Sequence, residues 1–444
     1  MSDNQQMDYI KKNIFSLAEE YINLKNKKNV FKAGDRINYA EKVYDANEIT
    51  NLIDSCLEFW LTNGRYTKLF EEKLAEYLGR RFCFFVNSGS SANLLAFMAL
   101  TSPLLGDRAV KRGDEVITTA ACFPTTVTPV LQFGAVPVFV DVTIPQYNID
   151  ISRLQDALSG KTKAVFIAHT LGNPFNISAV KRFCDDNNLW LIEDNCDSLG
   201  SKYTMNGETR LTGTFGHIAT SSFYPAHHIT TGEGGAVYTD DKLLAKIIAS
   251  MRDWGRDCVC SPGQDNKCKS RFSNKYSQLP TGYDHKYVYS HFGYNLKATD
   301  MQAAIGCAQL DKVDSFSAKR RRNYNKFLSG LSSLRSKGLV LPEICENSEP
   351  SPFGFIMSFE NRNPLVNCME EAGIQTRMLF SGNIIRHPCF DYIRGREDLY
   401  RVAGELTNTD RIISETFWIG VHPGLSDQTM DYILDVIHGF FKSQ

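Results

Sequence analysis

Between residues 81 and 194 five short apolar runs recur, RFCFFV, DEVITTA, VPVFVDV, KAVFIAH and LWLIED, separated by stretches long enough for a helix. Each run is rich in β-branched or aromatic residues and too short to be a buried helix, so each reads as a strand. Strands that are apolar on both faces need cover on both faces. The rhythm therefore predicts an α/β fold with a mostly parallel, helix-covered sheet. In such sheets ligands gather beyond the carboxyl ends of the strands, and the polar residues found there are the first candidates for function.

The rest of the chain divides around that sheet. Ile10, Ile14, Leu17, Tyr21 and Leu24 repeat at helical spacing, so residues 1–35 read as an N-terminal helical extension. Residues 36–330 form the large domain. A long helical tract begins near TDMQAAIGCAQLDKV, and after it GFIMSFENR, PLVNCMEEAG and IQTRMLF read as strand, helix and strand. These place a smaller C-terminal α/β domain at 331–444. The basic run Lys319–Arg322 reads as the solvated face of a helix. Residues 257–286, with Gly, Asn, Ser, Pro and three cysteines, lack periodicity and form a long loop of the kind that usually has a function.

Forty-nine basic residues against fifty acidic ones leave a net charge of -1, which argues against a nucleic-acid or anionic-membrane partner and for small-molecule work. No stretch approaches a membrane span, and the N-terminus has no uninterrupted apolar segment of the secretory kind. The expected location is the cytoplasm. In that reducing setting the twelve cysteines suggest metal or redox chemistry where they cluster.

Three strand ends carry candidate sites. FFVNSGSSANLLAF is a strand, then Asn87 to Ser91, then a helix whose first amides could hold a phosphate. The competing reading is an ordinary cap by Ser90 or Ser91. LIEDNCDSLGS ends a strand in Glu193-Asp194, where a carboxylate could keep a pyridinium nitrogen protonated or simply cap the next turn. AACFPTTVT offers Phe123 as a flat face for a ring, or as one more core aromatic.

Taken with SSFYPAHHITTGEGG and FGYNLKATDMQAAIG, these motifs stand in an order that resembles the sugar aminotransferase and dehydratase family (DegT/DnrJ/EryC/StrS) of fold-type I pyridoxal-phosphate proteins, over about residues 50–430. The resemblance implies a homodimer acting on nucleotide-linked keto-sugars. It makes Asp194 the partner of the pyridine nitrogen, Phe123 the stacking ring, and Gly89, Ser90 and Ser222 phosphate contacts. Asn295 would reach the phosphate from the neighbouring subunit.

One position departs from the aminotransferase pattern. Five residues after Ser222, where the family's aminotransferases carry the lysine that ties the cofactor, stands His227. Imidazole cannot form that Schiff base, but it can move protons near neutral pH. The neighbouring His228 reads as a structural residue. Histidine at this place is shared by the family's sugar dehydrases, which use unanchored pyridoxamine phosphate.

Cys258, Cys260 and Cys268 lie close together in the long loop, and Cys196 is two positions past Asp194. Four thiolates could bind zinc or an iron–sulfur cluster, and their spacing alone fits neither the usual zinc pairs nor plant-type ferredoxin. The resemblance, narrowed to dehydrases with both features, implies that these four hold a [2Fe–2S] cluster fed by a separate NADH-dependent flavin and iron–sulfur reductase. The expected activity is removal of the C3 hydroxyl from a CDP-linked 4-keto-6-deoxyhexose, towards 3,6-dideoxyhexoses of surface polysaccharide. The alternatives are a GDP-sugar dehydratase of the colitose type without a cluster, and a silent sugar-nucleotide-binding protein. Arg377, Arg386 and His387 are further candidates for substrate contacts.

Overall fold

The computed structural model describes residues 2–26, 31–258, 260 and 263–443. The five runs form strands β1 (Phe82–Val86), β2 (Glu115–Thr119), β3 (Val136–Val140), β4 (Thr162–Ala168) and β5 (Trp190–Asp194). They are followed by β6 (Lys202–Met205), β7 (Glu208–Leu211), β8 (Ile218–Ser222) and β9 (Gly235–Thr239). The C-terminal part adds β10 (Ser348–Glu349), β11 (Gly354–Ser358), β12 (Thr376–Arg377), β13 (Arg401–Val402) and β14 (Thr416–Gly420).

Eight of these make one sheet in the order β1-β9-β8-β5-β4-β2-β3-β13. It is parallel from β8 to β13, while β9 runs antiparallel to both its neighbours. Every residue of β2, β3, β5, β8 and β9 is buried, as a sheet covered on both faces requires. Side chains alternate between the two faces. Val116 and Ile192 pack with Leu95, Ile247 and Ile248 on one side, and Ile117 and Leu191 pack with Phe175, Ile177 and Val180 on the other.

A second, antiparallel sheet, β11-β14-β12, packs against the helices Val313–Gly330, Arg362–Glu371 and Asp427–Ser443 around a separate apolar cluster. Two segments cross between the sheets. Residues 31–45 run beside the smaller sheet, where Ile37 N–H donates to Gly373 O at 2.9 Å and Ile37 O accepts from Gln375 N–H at 2.9 Å. In return, β13 leaves the C-terminal part to become the edge strand of the large sheet.

Two sequence expectations change. The long helical tract is two helices, Asp300–Leu310 and Val313–Gly330, broken at Asp311 and Lys312. Within the second, the run Lys319–Arg322 is not uniformly solvated: Arg320 is 2% exposed. Helical periodicity explains this, because Arg320 falls on the buried stripe of Phe316, Tyr324 and Phe327. The described part of 257–286 contains turns and one short 3₁₀ segment, held by the Arg271–Asp284 pair at 2.7 and 2.8 Å and by His285 Nε2 against Asp257 Oδ2 at 2.8 Å.

Candidate active site at the strand ends

β5 carries its last two side chains to opposite faces, as strand alternation demands. Glu193 turns into the protein, where it accepts from the backbone N–H of Gly213 at 2.9 Å and Phe215 at 2.8 Å and meets His169 Nε2 at 3.0 Å. Burial opposes its charge, but His169, the Gly216 N–H and Arg80 outweigh burial and hold the carboxyl below its usual range. Asp194 turns the other way. Its Oδ2 accepts from Asn93 Nδ2 and Thr126 Oγ1, both at 2.8 Å, and its Oδ1 accepts from Cys196 N–H at 3.2 Å. Every one of these contacts is a donor, which suits a carboxylate.

Asn93 and Thr126 come from the helices that follow β1 and β2. The first, Gly89–Leu100, is capped by Ser88, whose Oγ accepts from Ser91 N–H at 3.0 Å. The cap expected at Ser90 or Ser91 is therefore made by Ser88, and Ser90 is exposed. Gly89 and Ser90 supply the first two amides of the helix, which have no acceptor within it. A Cβ on Gly89 would lie 2.4 Å from Ser222 Cβ, so only glycine lets the end of β8 approach this turn. The second helix begins at Pro124 with Phe123 just before it, 51% exposed.

After β8 the chain forms a loop closed by Phe223, whose N–H donates to Gly234 O at 2.8 Å and whose carbonyl accepts from Thr231 N–H at 3.0 Å. His227 sits in this loop with Nδ1 3.3 Å from Asp197 Oδ1 and its ring 5.2 Å from that of Phe353. Burial raises the Asp197 carboxyl, and His227 pulls it part of the way back. Arg320 lies behind, donating from Nη2 to His227 O at 3.2 Å; burial lowers its guanidinium to about 10. His228 is different. Its Nε2 meets Ser351 O at 2.7 Å, and burial together with Arg320 pushes its imidazole well below the usual range, so it stands as a neutral structural residue.

Asp197, Asn93 and Arg320 are the members of this site that motif reading passed over. Their signals were an acid three residues past Asp194, one amide in the otherwise apolar helix NLLAFMAL, and a basic residue on a buried helical stripe.

Asn295 is exposed on a segment whose backbone leans on the body of the protein. Tyr294 N–H donates to Met251 O at 3.0 Å, and Leu296 O accepts from Asn87 N–H at 2.9 Å. Phe292 at its tip is wholly exposed. Arg386 pairs with Asp410 at 2.7 Å, Arg377 lies over the Tyr39 ring at 4.2 Å, and His387 Nε2 meets Ser381 O at 2.7 Å, so each already has a protein partner.

The four candidate cysteines are free thiols. Burial and the Asp194 carboxylate push the Cys196 thiol up. Burial also raises Cys258, and Cys258 and Cys260 both line a cavity of about 720 Å³ with Trp60, Lys246, Arg252 and Lys297. The neighbouring His285 and Ser270 lower the exposed Cys268 thiol to about 7. Among the described residues no three His, Cys, Asp or Glu side chains are grouped to hold a metal ion. The structure thus brings Cys258 and Cys260 together but does not assemble all four.

No helix among the described residues is long and apolar enough to cross a membrane. The chain is 52% identical over 438 residues to the lipopolysaccharide biosynthesis protein RfbH of Salmonella typhimurium, covering 97% of this chain and 98% of that one. It is 49% identical to dTDP-4-dehydro-2,6-dideoxy-D-glucose 3-dehydratase of Saccharopolyspora spinosa, over 90% of this chain and 85% of the relative. Among solved structures, E. coli GDP-4-keto-6-deoxy-D-mannose-3-dehydratase with bound hydrated PLP superposes with a TM-score of 0.78 at 28% identity, over 92% of this chain and 100% of that one. Residues 43–438 match the DegT/DnrJ/EryC1/StrS aminotransferase family, and with its fold-type I architecture the chain belongs to that family.

Proposed function

We propose that this protein is a pyridoxamine-phosphate-dependent dehydratase that removes the C3 hydroxyl of a nucleotide-linked 4-keto-6-deoxyhexose. The observation that carries the reading is an imidazole in place of an amine at residue 227, facing Asp197 at 3.3 Å and standing on the loop that leaves β8 beside the strand end of Asp194. The surrounding residues suit the cofactor. The helix-opening amides of Gly89 and Ser90, with Ser222 at the end of β8 packed against Gly89, suit its phosphate, donor-held Asp194 suits its ring nitrogen, and exposed Phe123 suits its ring face.

Bound pyridoxamine phosphate supplies an amine for the sugar's keto carbon and a ring that takes up electron density. The chain's residues do the rest. With Nδ1 facing Asp197, His227 has Nε2 free to take the proton from the cofactor's C4′ carbon as the sugar's C3 hydroxyl leaves. With no lysine at 227, the protein does not compete with the sugar for the cofactor.

The finer reading is that of a CDP-6-deoxy-4-keto-D-glucose 3-dehydrase in the cytoplasm, working as a homodimer with Asn295 contributed across the interface. Cys196, Cys258, Cys260 and Cys268 are proposed as ligands of a [2Fe–2S] cluster. Such a cluster would relay single electrons from a separate NADH-dependent flavin and iron–sulfur reductase. The shared cavity wall of Cys258 and Cys260 and the lowered Cys268 thiol support this reading. A second reading, a GDP-sugar 3-dehydratase without a cluster, is favoured by the one observation that the thiols do not gather into a ligand set.

The test follows deuterium washout from C4′ of labelled pyridoxamine phosphate in the presence of keto-sugar. His227→Asn should bind the cofactor and lose washout by on the order of a hundredfold or more, the usual worth of a positioned general base. Undiminished washout would place the base elsewhere. A borohydride-fixed phosphopyridoxyl lysine in the wild type would return the protein to aminotransferase chemistry.

A further inference from the structure

The helix Asp3–Lys25 carries more apolar surface than the body of the protein covers. It packs on the helix Ala46–Glu58 through a stripe that ends in Ile22, 4% exposed, with Ala18 and Phe15 half-buried one and two turns before it. Lys11 pairs with Asp54, and Asn26 Nδ2 donates to Tyr44 O at 3.3 Å, so the helix is fixed along that side. The row of apolar residues that its sequence offers for burial faces elsewhere. Met7 is 59% exposed, Ile10 49%, Leu17 66%, Tyr21 64% and Leu24 56%, with half-buried Ile14 among them. The two stripes lie about a quarter-turn apart on the helix.

Single exposed apolar side chains are ordinary, but a continuous row marks a contact surface. From Met7 to Leu24 the intervals are three, four, three, four and three, which is the spacing of the a and d positions of a coiled coil. Such a row packs against a helix that carries the same row. No other helix among the described residues exposes more than one large apolar side chain, so the match on this chain is the row itself, on a second copy. The intervals read the same from either end, and a two-fold axis brings all six positions into register. Charge agrees with this occupant. The helix has four acidic residues against three basic ones, and Lys11 is already paired, so it lacks the basic face of a helix that lies on a membrane, while two near-neutral copies can approach. The family match begins only at residue 43, which leaves this helix outside the residues shared with that family.

We infer that Met7, Ile10, Ile14, Leu17, Tyr21 and Leu24 form a seam for the same helix of a second copy of this chain. The contact is separate from the one that would carry Asn295 to a neighbouring active site.

The test places the photo-crosslinker p-benzoylphenylalanine at Tyr21 of the full-length protein and irradiates a mixture of ¹⁵N-labelled and unlabelled chains. Mass spectrometry should find mixed-label crosslinks to residues 7–24. The same probe at Phe292 maps the other contact independently. Leu17→Glu should abolish the Tyr21 crosslink and weaken self-association in sedimentation by about tenfold or more, because the seam would have to bury a charge. Glu19→Lys, off the seam, should change neither. Crosslinks from Tyr21 that stay within one chain, or that reach another surface of the second copy, overturn the seam. Intermolecular crosslinks from Phe292 alone also overturn it, and leave the homodimer of the proposed function standing. Wild-type binding to vesicles of phosphatidylcholine and phosphatidylglycerol that is lost in Leu17→Glu would assign the row to a membrane instead.

Discussion

Replacing Asp197 by Asn separates the chemical use of this carboxylate from its structural cost. Asp197 Oδ1 stands 3.3 Å from His227 Nδ1, with its side chain 11% exposed. A unit-charge pair at that distance interacts by about 5 kcal/mol at an effective dielectric near 20. Desolvation removes much of that, and charge-assisted hydrogen bonds are worth about 1.5–3 kcal/mol net. Once His227 has taken a proton it should therefore be less well stabilised in Asp197→Asn by roughly that amount, and C4′ washout should slow by about ten- to a hundredfold. Stability should move the other way. Burial raises the Asp197 carboxyl on folding. A carboxyl raised in this way contributes its stability below the unfolded pKa and loses it as pH climbs through the folded value. At neutral pH the wild type carries the cost of the buried charge, and the amide does not. The variant should melt no lower than wild type at about pH 7, with any advantage shrinking as both are taken below the carboxylate range. Washout kinetics and thermal melts across that pH span check both halves. Unchanged washout would refute the coupling to His227, and a fall in rate accompanied by a lower neutral-pH Tm would show that the loss is structural.

Three further outcomes are expected. His228→Leu should leave washout near wild type while lowering stability by about 1–3 kcal/mol in denaturant melts, because Ser351 O loses its buried donor. Gly89→Ala should weaken pyridoxamine phosphate binding and cost about 1–3 kcal/mol, since its Cβ would lie 2.4 Å from Ser222 Cβ; calorimetric titration showing wild-type affinity would remove the turn from the phosphate site. Anaerobic reconstitution should load about two iron and two sulfide per chain with a visible band bleached by dithionite, and Cys258→Ser should remove most of it. Stoichiometric zinc without a visible band would rule the cluster out.

Five of the eight strands of the large sheet could be read from sequence because burial on both faces leaves a run such as VPVFV no other use, whereas β8, IATSS, and β9, GAVYT, are too small and polar to stand out. The strand ends were legible for the same reason: Asp194 and Phe123 stand where such a run stops. Asn93 was not, because its bond to Asp194 joins residues far apart in sequence that meet only once the helix after β1 packs on the sheet. Arg320 was hidden by its charged neighbours, Lys319 and Arg322, which are exposed as expected. β13, two residues long, owes its pairing to β3 rather than to any pattern of its own.

The two crossings between the sheets bear on how the molecule can move. Ile37 exchanges hydrogen bonds with Gly373 and Gln375, and Ala403 N–H, just past β13, donates to Phe139 O on β3 at 2.9 Å. Hinge closure turns on a few linker residues that absorb the change in backbone angles. Here a swing of the C-terminal part about the long helix would have to peel β13 from the edge of the large sheet. The two parts are laced together, so entry of a nucleotide-sugar and release of its product fall to motions smaller than a hinge swing of the C-terminal part.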